Sequence, residues 1–384
     1  MRILKSLTAL LLIACFLFSI GTLGVGAKGA TAFSEELPCK SAILIDATTG
    51  AVLYEQNADE ALPPASVTKV MTLLLVMEEI EKGKLKLEDP VSVSANAASM
   101  GGSQVFLKEG EQLSVEEMLK CVVIASANDC AVALAELVCG SEEIFVARMN
   151  ERAVELGMKN THFENTNGLD DTVQNHVTSA KDIAIMSREL IKHPKILEYS
   201  GIWMDSIRDG AFGLTNTNRL VRFYPGCTGL KTGSTARAGF CISASAKRED
   251  LSLICVIMGA QTRDERNSCA TKLLDFGFAN YETYSYQGGR ENISVTGSAK
   301  ECIEVTRETF FATVPKGSGK RIEVKSELPQ SLAAPIRAGE NIGRMRFLLD
   351  GEELGVAELC AAEDAERIGF GTLFLKLFFQ FLLL

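Results

Sequence analysis

The sequence predicts an α/β (α+β) fold: an antiparallel sheet flanked by helices, a helical cluster inserted between its first and last strands, and then a separate all-β sandwich. Three observations carry this expectation. Strand-like alternation over residues 41–57 returns over 212–260. The stretch between, 64–200, has mainly helical patterns. From about residue 285 the chain changes to short alternating runs separated by turns. The first part thus takes strands from both its ends and helices from its middle, so its first and last strands should be neighbours.

The elements follow in order. Residues 1–32 read as a secretory signal peptide: Arg2 and Lys5, an apolar core over 7–23, then Ala30-Thr31-Ala32 before Phe33. Leu12-Ile13-Ala14-Cys15 resembles a lipid-attachment motif, but Phe16-Leu17-Phe18-Ser19-Ile20 continues the apolar core past the cysteine. The expected protein is therefore exported. Residues 42–46 and 51–55 form a hairpin about Thr48-Thr49-Gly50. Pro63-Pro64 opens a helix through 70–80, a run that is long, largely apolar and free of Gly and Pro. Further helices are expected over 115–139 and 179–192, the second capped by Thr178 or Ser179, and a closing helix over 270–278. The domain boundaries implied are 33–282 for the sheet-and-helix part and 283–362 for the sandwich. The latter has strands at 293–296, 302–306, 310–314, 321–325 and 343–349, with turns at Lys316-Gly317-Ser318-Gly319 and Asp350-Gly351. Residues 363–384 read as an amphipathic membrane-anchor helix. Within them 368–384 are almost wholly apolar, with Thr372, Lys376 and Gln380 as a narrow polar stripe, which suits a helix lying in a membrane interface.

Composition narrows the partners. A net charge of −10 argues against nucleic acid and gives no attraction to an anionic membrane, so membrane contact must come from apolar surface. The eleven cysteines are expected to be mostly free thiols. Cys121, Cys130 and Cys139 recur every nine residues along one expected helix, with Cys130 on the face opposite the other two. Cys241 and Cys255 sit inside apolar strand-like runs, as small core residues do. His162, His176 and His193 lack zinc-motif spacing, so no metal site and no cofactor are read here.

Three short strings carry chemistry: Ser66-Val67-Thr68-Lys69, Ser126-Ala127-Asn128 and Lys231-Thr232-Gly233. A serine hydroxyl is a weak nucleophile unless a base takes its proton, and a lysine three residues on shares its helix face. Lysine serves as base only if burial or a nearby cation lowers its pKa, and Lys231 is the candidate cation. The third string continues through Ser234-Thr235-Ala236, and with Gly239-Phe240-Cys241-Ile242-Ser243-Ala244 it reads as an edge strand to which a peptide could pair. Alone each string is weak; together, in this order, they describe serine acyl transfer.

With these motifs, and with Ala42-Ile43-Leu44-Ile45-Asp46-Ala47, Thr215-Asn216-Thr217-Asn218-Arg219-Leu220 and Lys272-Leu273-Leu274-Asp275-Phe276-Gly277-Phe278, the chain resembles the low-molecular-mass penicillin-binding proteins, serine D-alanyl-D-alanine carboxypeptidases. The resemblance covers most of residues 40–280. It implies a DD-peptidase/β-lactamase-like fold and a reaction that trims the terminal D-alanine from peptidoglycan stem peptides through an acyl-enzyme. It also implies β-lactams as covalent inhibitors. By that resemblance Ser66 is the nucleophile, Lys69 its base and Ser126 a proton relay to the leaving amine. Asn128 would bind the substrate amide, Lys231 and Thr232 the terminal carboxylate, and the N–H groups of Ser66 and Ser234 the oxyanion, with Gly233 in the strand between. Arg266 would help to bind the carboxylate, with Arg263 as competitor.

Two departures are visible. Asn167 stands where the family often has His, from which an altered rate is expected, and Thr228 stands where an acidic residue often precedes Gly229-Leu230-Lys231. A class A β-lactamase, which shares the three strings, needs a Glu-x-x-Leu-Asn segment that is absent from the sequence. A non-enzymatic wall-binding protein with a decayed site is the other rival, yet no catalytic letter is missing.

Overall fold

The computed structural model describes residues 33–171 and 173–382. The expected signal peptide lies outside the described residues. Two compact units divide after Tyr281.

In the first unit a five-stranded antiparallel sheet has the order β2-β1-β9-β8-β7, formed by β1 (Ser41–Asp46), β2 (Val52–Gln56), β7 (Cys227–Thr235), β8 (Gly239–Arg248) and β9 (Leu251–Ala260). The first strand pairs directly with the last, Ser41 opposite Met258 and Asp46 opposite Leu253. Both faces are covered. Ile43, Ile45, Ile254, Val256 and Met258 join the helical core. On the other face α9 (Arg263–Asn280) packs so closely that a Cβ on Gly277 would lie 2.6 Å from Leu253 and 3.1 Å from Leu44. β7 is left as an edge.

Between β2 and β7 runs the helical cluster: α1 (Lys69–Glu81), α2 (Ala95–Ala98), α3 (Val115–Lys120), α4 (Asn128–Cys139), α5 (Glu142–Glu155), α6 (Ala180–Leu190), α7 (Pro194–Ser200) and α8 (Leu220–Phe223). Two small hairpins accompany it, β3 (Pro90–Ser92) with β4 (Gln112–Ser114) and β5 (Met204–Ile207) with β6 (Phe212–Thr215). α1 is buried along nearly its whole length, which explains its uninterrupted apolar sequence. Ser179 caps α6, its hydroxyl accepting the N–H of Asp182.

One expectation fails here. Residues 115–139 are not one helix. α3 widens into a π turn at Cys121–Ala125, Ser126 takes a left-handed conformation (φ +63°), and α4 begins anew at Asn128. The break resets the helical phase, so Cys130 is not opposite Cys121: both are buried in the core, where burial and the Cys121 thiol push the Cys130 pKa up. Among the described residues Cys39, Cys121, Cys130, Cys139, Cys227, Cys241, Cys255, Cys269 and Cys302 are free thiols.

The second unit is β-rich. β10 (Tyr281–Tyr286) pairs with β13 (Phe310–Pro315), and a six-stranded sheet has the order β14-β16-β17-β12-β11-β15. Its strands are β11 (Gly289–Thr296), β12 (Cys302–Arg307), β14 (Ile322–Glu327), β15 (Ser331–Ala333), β16 (Asn341–Leu349) and β17 (Glu352–Ala361). The two sheets share one core, in which the Phe310 ring stacks on Phe347 at 3.9 Å between centroids. Finally α10 (Phe370–Leu382) exposes Phe370, Phe374, Phe378 and Phe381. At about 1.5 Å per residue it is roughly 20 Å long. No helix among the described residues is long and apolar enough to cross a membrane.

Candidate active site

The entry to α1 is a 3-10 turn, Ala65–Thr68, that runs without interruption into the helix at Lys69. It starts from Ala65 in the left-handed region (φ +49°), a strained conformation for a residue with a Cβ. Ser66 and Lys69 then share a face, and Lys69 Nζ lies 2.9 Å from Ser66 Oγ. Two further oxygens receive the amine: Asn128 Oδ1 at 2.6 Å and the Asn167 carbonyl at 2.7 Å. The orientation of the Asn128 amide is fixed from behind, because its Nδ2 donates to the Gly101 carbonyl at 2.7 Å.

Lys69 is fully buried, and burial drives its pKa well below the ordinary lysine value. The nearby charge of Lys231 pushes it further down, and Asp129 opposes both. A neutral amine has two N–H bonds and one lone pair. In that form, with both hydrogens directed to Asn128 and Asn167, the lone pair would face Ser66 Oγ, the arrangement a general base needs.

The second string sits where the π turn ends. Ser126, left-handed and buried, points its hydroxyl at Lys231 Nζ, 2.8 Å away. Lys231 also donates to the Thr232 carbonyl at 2.8 Å. A charged ammonium keeps one more N–H for a ligand. Burial lowers the Lys231 pKa to about 7, with the Arg266 cation adding to the effect. Arg266 itself is buried on the first turn of α9, whereas Arg263 is exposed, so of the two arginines only Arg266 faces the lysine. Its guanidinium is steadied by Asn267 Oδ1 at 2.9 and 3.1 Å.

β7 closes the site as the sheet edge. At Gly233 a Cβ would stand 2.7 Å from Ser66 N and 2.9 Å from both Pro64 O and Val67 N, so the strand can lie against the nucleophile's turn only as glycine. Thr232 Oγ1 donates to Thr217 Oγ1 at 2.8 Å, and Ser234, next along, is exposed. The asparagines of the Thr215–Leu220 segment explain themselves: Asn216 Nδ2 holds the Ser200 and Ile202 carbonyls, and Asn218 Nδ2 holds the Gly229 carbonyl, so together they lock the start of β7.

Residues 28–262 match the D-alanyl-D-alanine carboxypeptidase family, peptidase S11, and residues 286–367 match the penicillin-binding protein 5 C-terminal domain. The chain belongs to this carboxypeptidase family. It is 43% identical over 382 residues to the D-alanyl-D-alanine carboxypeptidase DacF of Bacillus subtilis, covering 97% of both chains. Penicillin-binding protein 5 of Haemophilus influenzae has a similar structure, with TM-score 0.77, 31% identity, and 87% of this chain and 99% of that one covered. Penicillin-binding protein D2 of Listeria monocytogenes, solved in its ampicillin-bound form, has TM-score 0.58 and 31% identity, covering 63% of this chain and 98% of that one. The protein is thus a serine-type D-alanyl-D-alanine carboxypeptidase of the penicillin-binding kind, active in peptidoglycan metabolism.

The nine residues expected from the sequence lie at the 3-10 turn and the first residue of α1 (Ser66, Lys69), the π-turn exit and the first residue of α4 (Ser126, Asn128), the β7 edge (Lys231, Thr232, Gly233, Ser234) and the first turn of α9 (Arg266). Sequence reasoning missed several participants: the Asn167 and Gly101 carbonyls, Thr217, and Asp129, whose carboxylate receives the N–H groups of Val105, Leu107 and Cys130. Asn167 meets Lys69 through its backbone, while its side-chain oxygen accepts the Leu169 N–H. At this position contact with Lys69 is made by the main chain and not by the side chain.

Proposed function

We propose that Ser66 attacks the carbonyl joining the two terminal D-alanines of a peptidoglycan stem peptide. Its proton passes to Lys69 Nζ as the Oγ–C bond forms, and the N–H groups of Ser66 and Ser234 stabilise the oxyanion, an interaction typically worth about 3–4 kcal/mol of barrier per donor. Collapse breaks the C–N bond. Ser126 delivers a proton to the leaving nitrogen, so one proton departs from Ser66 and one reaches D-alanine, held in between by the lysine pair. Water then cleaves the ester and restores Ser66. The peptide lies along the β7 edge as an added strand, with Asn128 on its amide and Lys231, Thr232 and Arg266 at its carboxylate. β-Lactams, whose carboxylate and strained amide follow the same geometry, stop at the acyl-enzyme.

The observation that carries this reading is the buried Lys69 amine, its pKa driven by burial well below the ordinary lysine value, 2.9 Å from Ser66 Oγ. The test is D-alanine release from a diacyl-lysyl-D-alanyl-D-alanine peptide by the wild type and by Ser66→Ala. Release and penicillin labelling should both vanish in the variant; activity surviving it would remove Ser66 from the mechanism.

The enzyme works outside the cytoplasm, at the surface of the cell membrane, with α10 as its interfacial anchor. The exposed phenylalanines of α10 support this: about 20 Å of helix is too short for a hydrocarbon core of about 30 Å but well suited to lying along its boundary. Deleting residues 368–384 should release the protein from membranes without changing acylation.

A further inference from the structure

Behind the nucleophile's turn lies a buried histidine that the reaction above does not use. His176 Nε2 is 2.8 Å from Thr68 Oγ1, and its Nδ1 receives the Glu164 N–H at 2.9 Å. An amide N–H can only donate, so Nδ1 carries no proton and Nε2 does. The imidazole therefore donates to Thr68 Oγ1, and the Thr68 hydroxyl is left to donate onward to the Ala65 carbonyl at 2.8 Å. The direction of this chain has no alternative while the Glu164 amide holds one end.

We propose that His176 is a positioning residue for acylation: acting through Thr68, its Nε2–H fixes the carbonyl of Ala65 and so the strained turn that presents Ser66. The inference rests on Ser66 being the nucleophile. Two further features bear on the same turn. Ala65 is left-handed and needs its surroundings to hold it there. A Cβ on Gly168 would fall 1.9 Å from Ala65 O and 2.8 Å from Thr68 Oγ1, so the 165–168 loop is pressed against this bond. That loop also supplies the Asn167 carbonyl to Lys69, so one packed unit sets both the nucleophile's backbone and the base's partner. The imidazole is wedged in place by the Phe163 ring, edge-on at 5.7 Å, and is 2% exposed.

Protonating Nδ1 would set two donors face to face. Burial holds the His176 pKa down at about 4, with His162, Arg237 and Lys69 adding to the effect and Glu164 opposing it, so the donor chain is intact at neutral pH.

Saturation kinetics with a fluorescent penicillin separate non-covalent affinity from the acylation rate. His176→Phe keeps the ring and loses both hydrogen bonds; its acylation rate should fall by about tenfold or more, with affinity within about twofold of wild type, because the cost is one of orientation. His176→Gln, which offers one donor and one acceptor, should recover most of the rate. Thr68→Val should lose about as much as His176→Phe, and the double variant no more than either, since both break one chain. Nitrogen-15 spectra of histidine-labelled enzyme should show Nε2–H and bare Nδ1 from pH 8 to 5. Folded His176→Phe acylating at the wild-type rate, a Gln variant no faster than Phe, losses that multiply in the double variant, or an Nδ1–H tautomer would each overturn the proposal. If the Phe variant does not fold, the Gln variant and the spectra still decide. Ser66→Ala beside them tests the nucleophile separately, since its labelling is abolished whatever His176 does.

Discussion

The two units of this chain bury different things. The sheet-and-helix unit hides Lys69 and Lys231, 0% and 1% exposed, together with Ser126, Asn128, Asp129, His176 and Arg266, whereas the β-rich unit buries a single polar side chain among its described residues, Ser318. Burying charge costs stability unless partners compensate, so a fold keeps such groups where chemistry needs them. The β-rich unit follows the ordinary rule of an apolar core and carries its ion pairs on the surface, Arg344 and Arg346 with Glu327 among them. The contrast gathers the buried titratable groups of the proposed site in one unit.

The sharpest way to break that contrast is Lys69→Ala. Removing the general base should cut acylation by penicillin by about 10²–10⁴-fold, measured by stopped-flow fluorescence, with thermal stability unchanged or raised because a buried amine is gone. Near-normal labelling would strip Lys69 of its role. Next comes pH. Acylation needs Lys69 neutral, so the rate should rise as pH climbs through its lowered pKa. It needs Lys231 charged, so kcat/KM for the free enzyme should fall again above about 7. Lys231→Arg should carry the falling limb beyond pH ~10, since guanidinium keeps its proton; an unmoved limb would assign it to another group. For stability the sign runs upward: the pKa values of both lysines are lower in the fold than in the unfolded chain, so unfolding takes up protons between the two values and stability rises with pH towards ~10.4. Lys231→Met should flatten that slope in urea melts. A smaller effect on catalysis is expected from Gly233→Ala, where the turn must yield by tenths of an ångström or more; a loss of about tenfold or greater in acylation, without loss of fold, would sharpen the geometric reading. Smallest is Phe347→Ala in the β-rich core, which should cost that unit about 3–5 kcal/mol in calorimetry and leave penicillin acylation unaltered.

What the sequence made legible divides along physical lines. The hairpin at 41–56 was readable because Gly50 takes φ +78° in its turn, and α1 because a buried helix needs an unbroken apolar run. The three catalytic strings were readable because each places a side chain of rare chemistry at a fixed spacing. The break at 121–125 was not, since Cys121-Val122-Val123-Ile124-Ala125 is apolar throughout and has neither Gly nor Pro to mark a π turn. Nor were the Asn167 and Gly101 carbonyls, because every residue carries one and only the fold selects which is used. β17 passed unmarked in sequence because Glu352–Ala361 mixes charged and apolar residues on an incompletely covered strand. The spacing of His176 excluded a zinc motif and said nothing more; its reach to Thr68, 108 positions earlier, is a tertiary fact.

The wide turn at Cys121–Ala125 makes this stretch intolerant of length change, although none of its five side chains touches substrate in the proposed reaction. Losing one codon there would either spin the following helix by about 100° or slide Asp129 into the berth of Asn128. A carboxylate would then sit against the amine of Lys69 and hold its proton. A triplet lost from an unassuming apolar segment is therefore expected to silence the enzyme as completely as the loss of its serine, with every signature motif still spelled correctly.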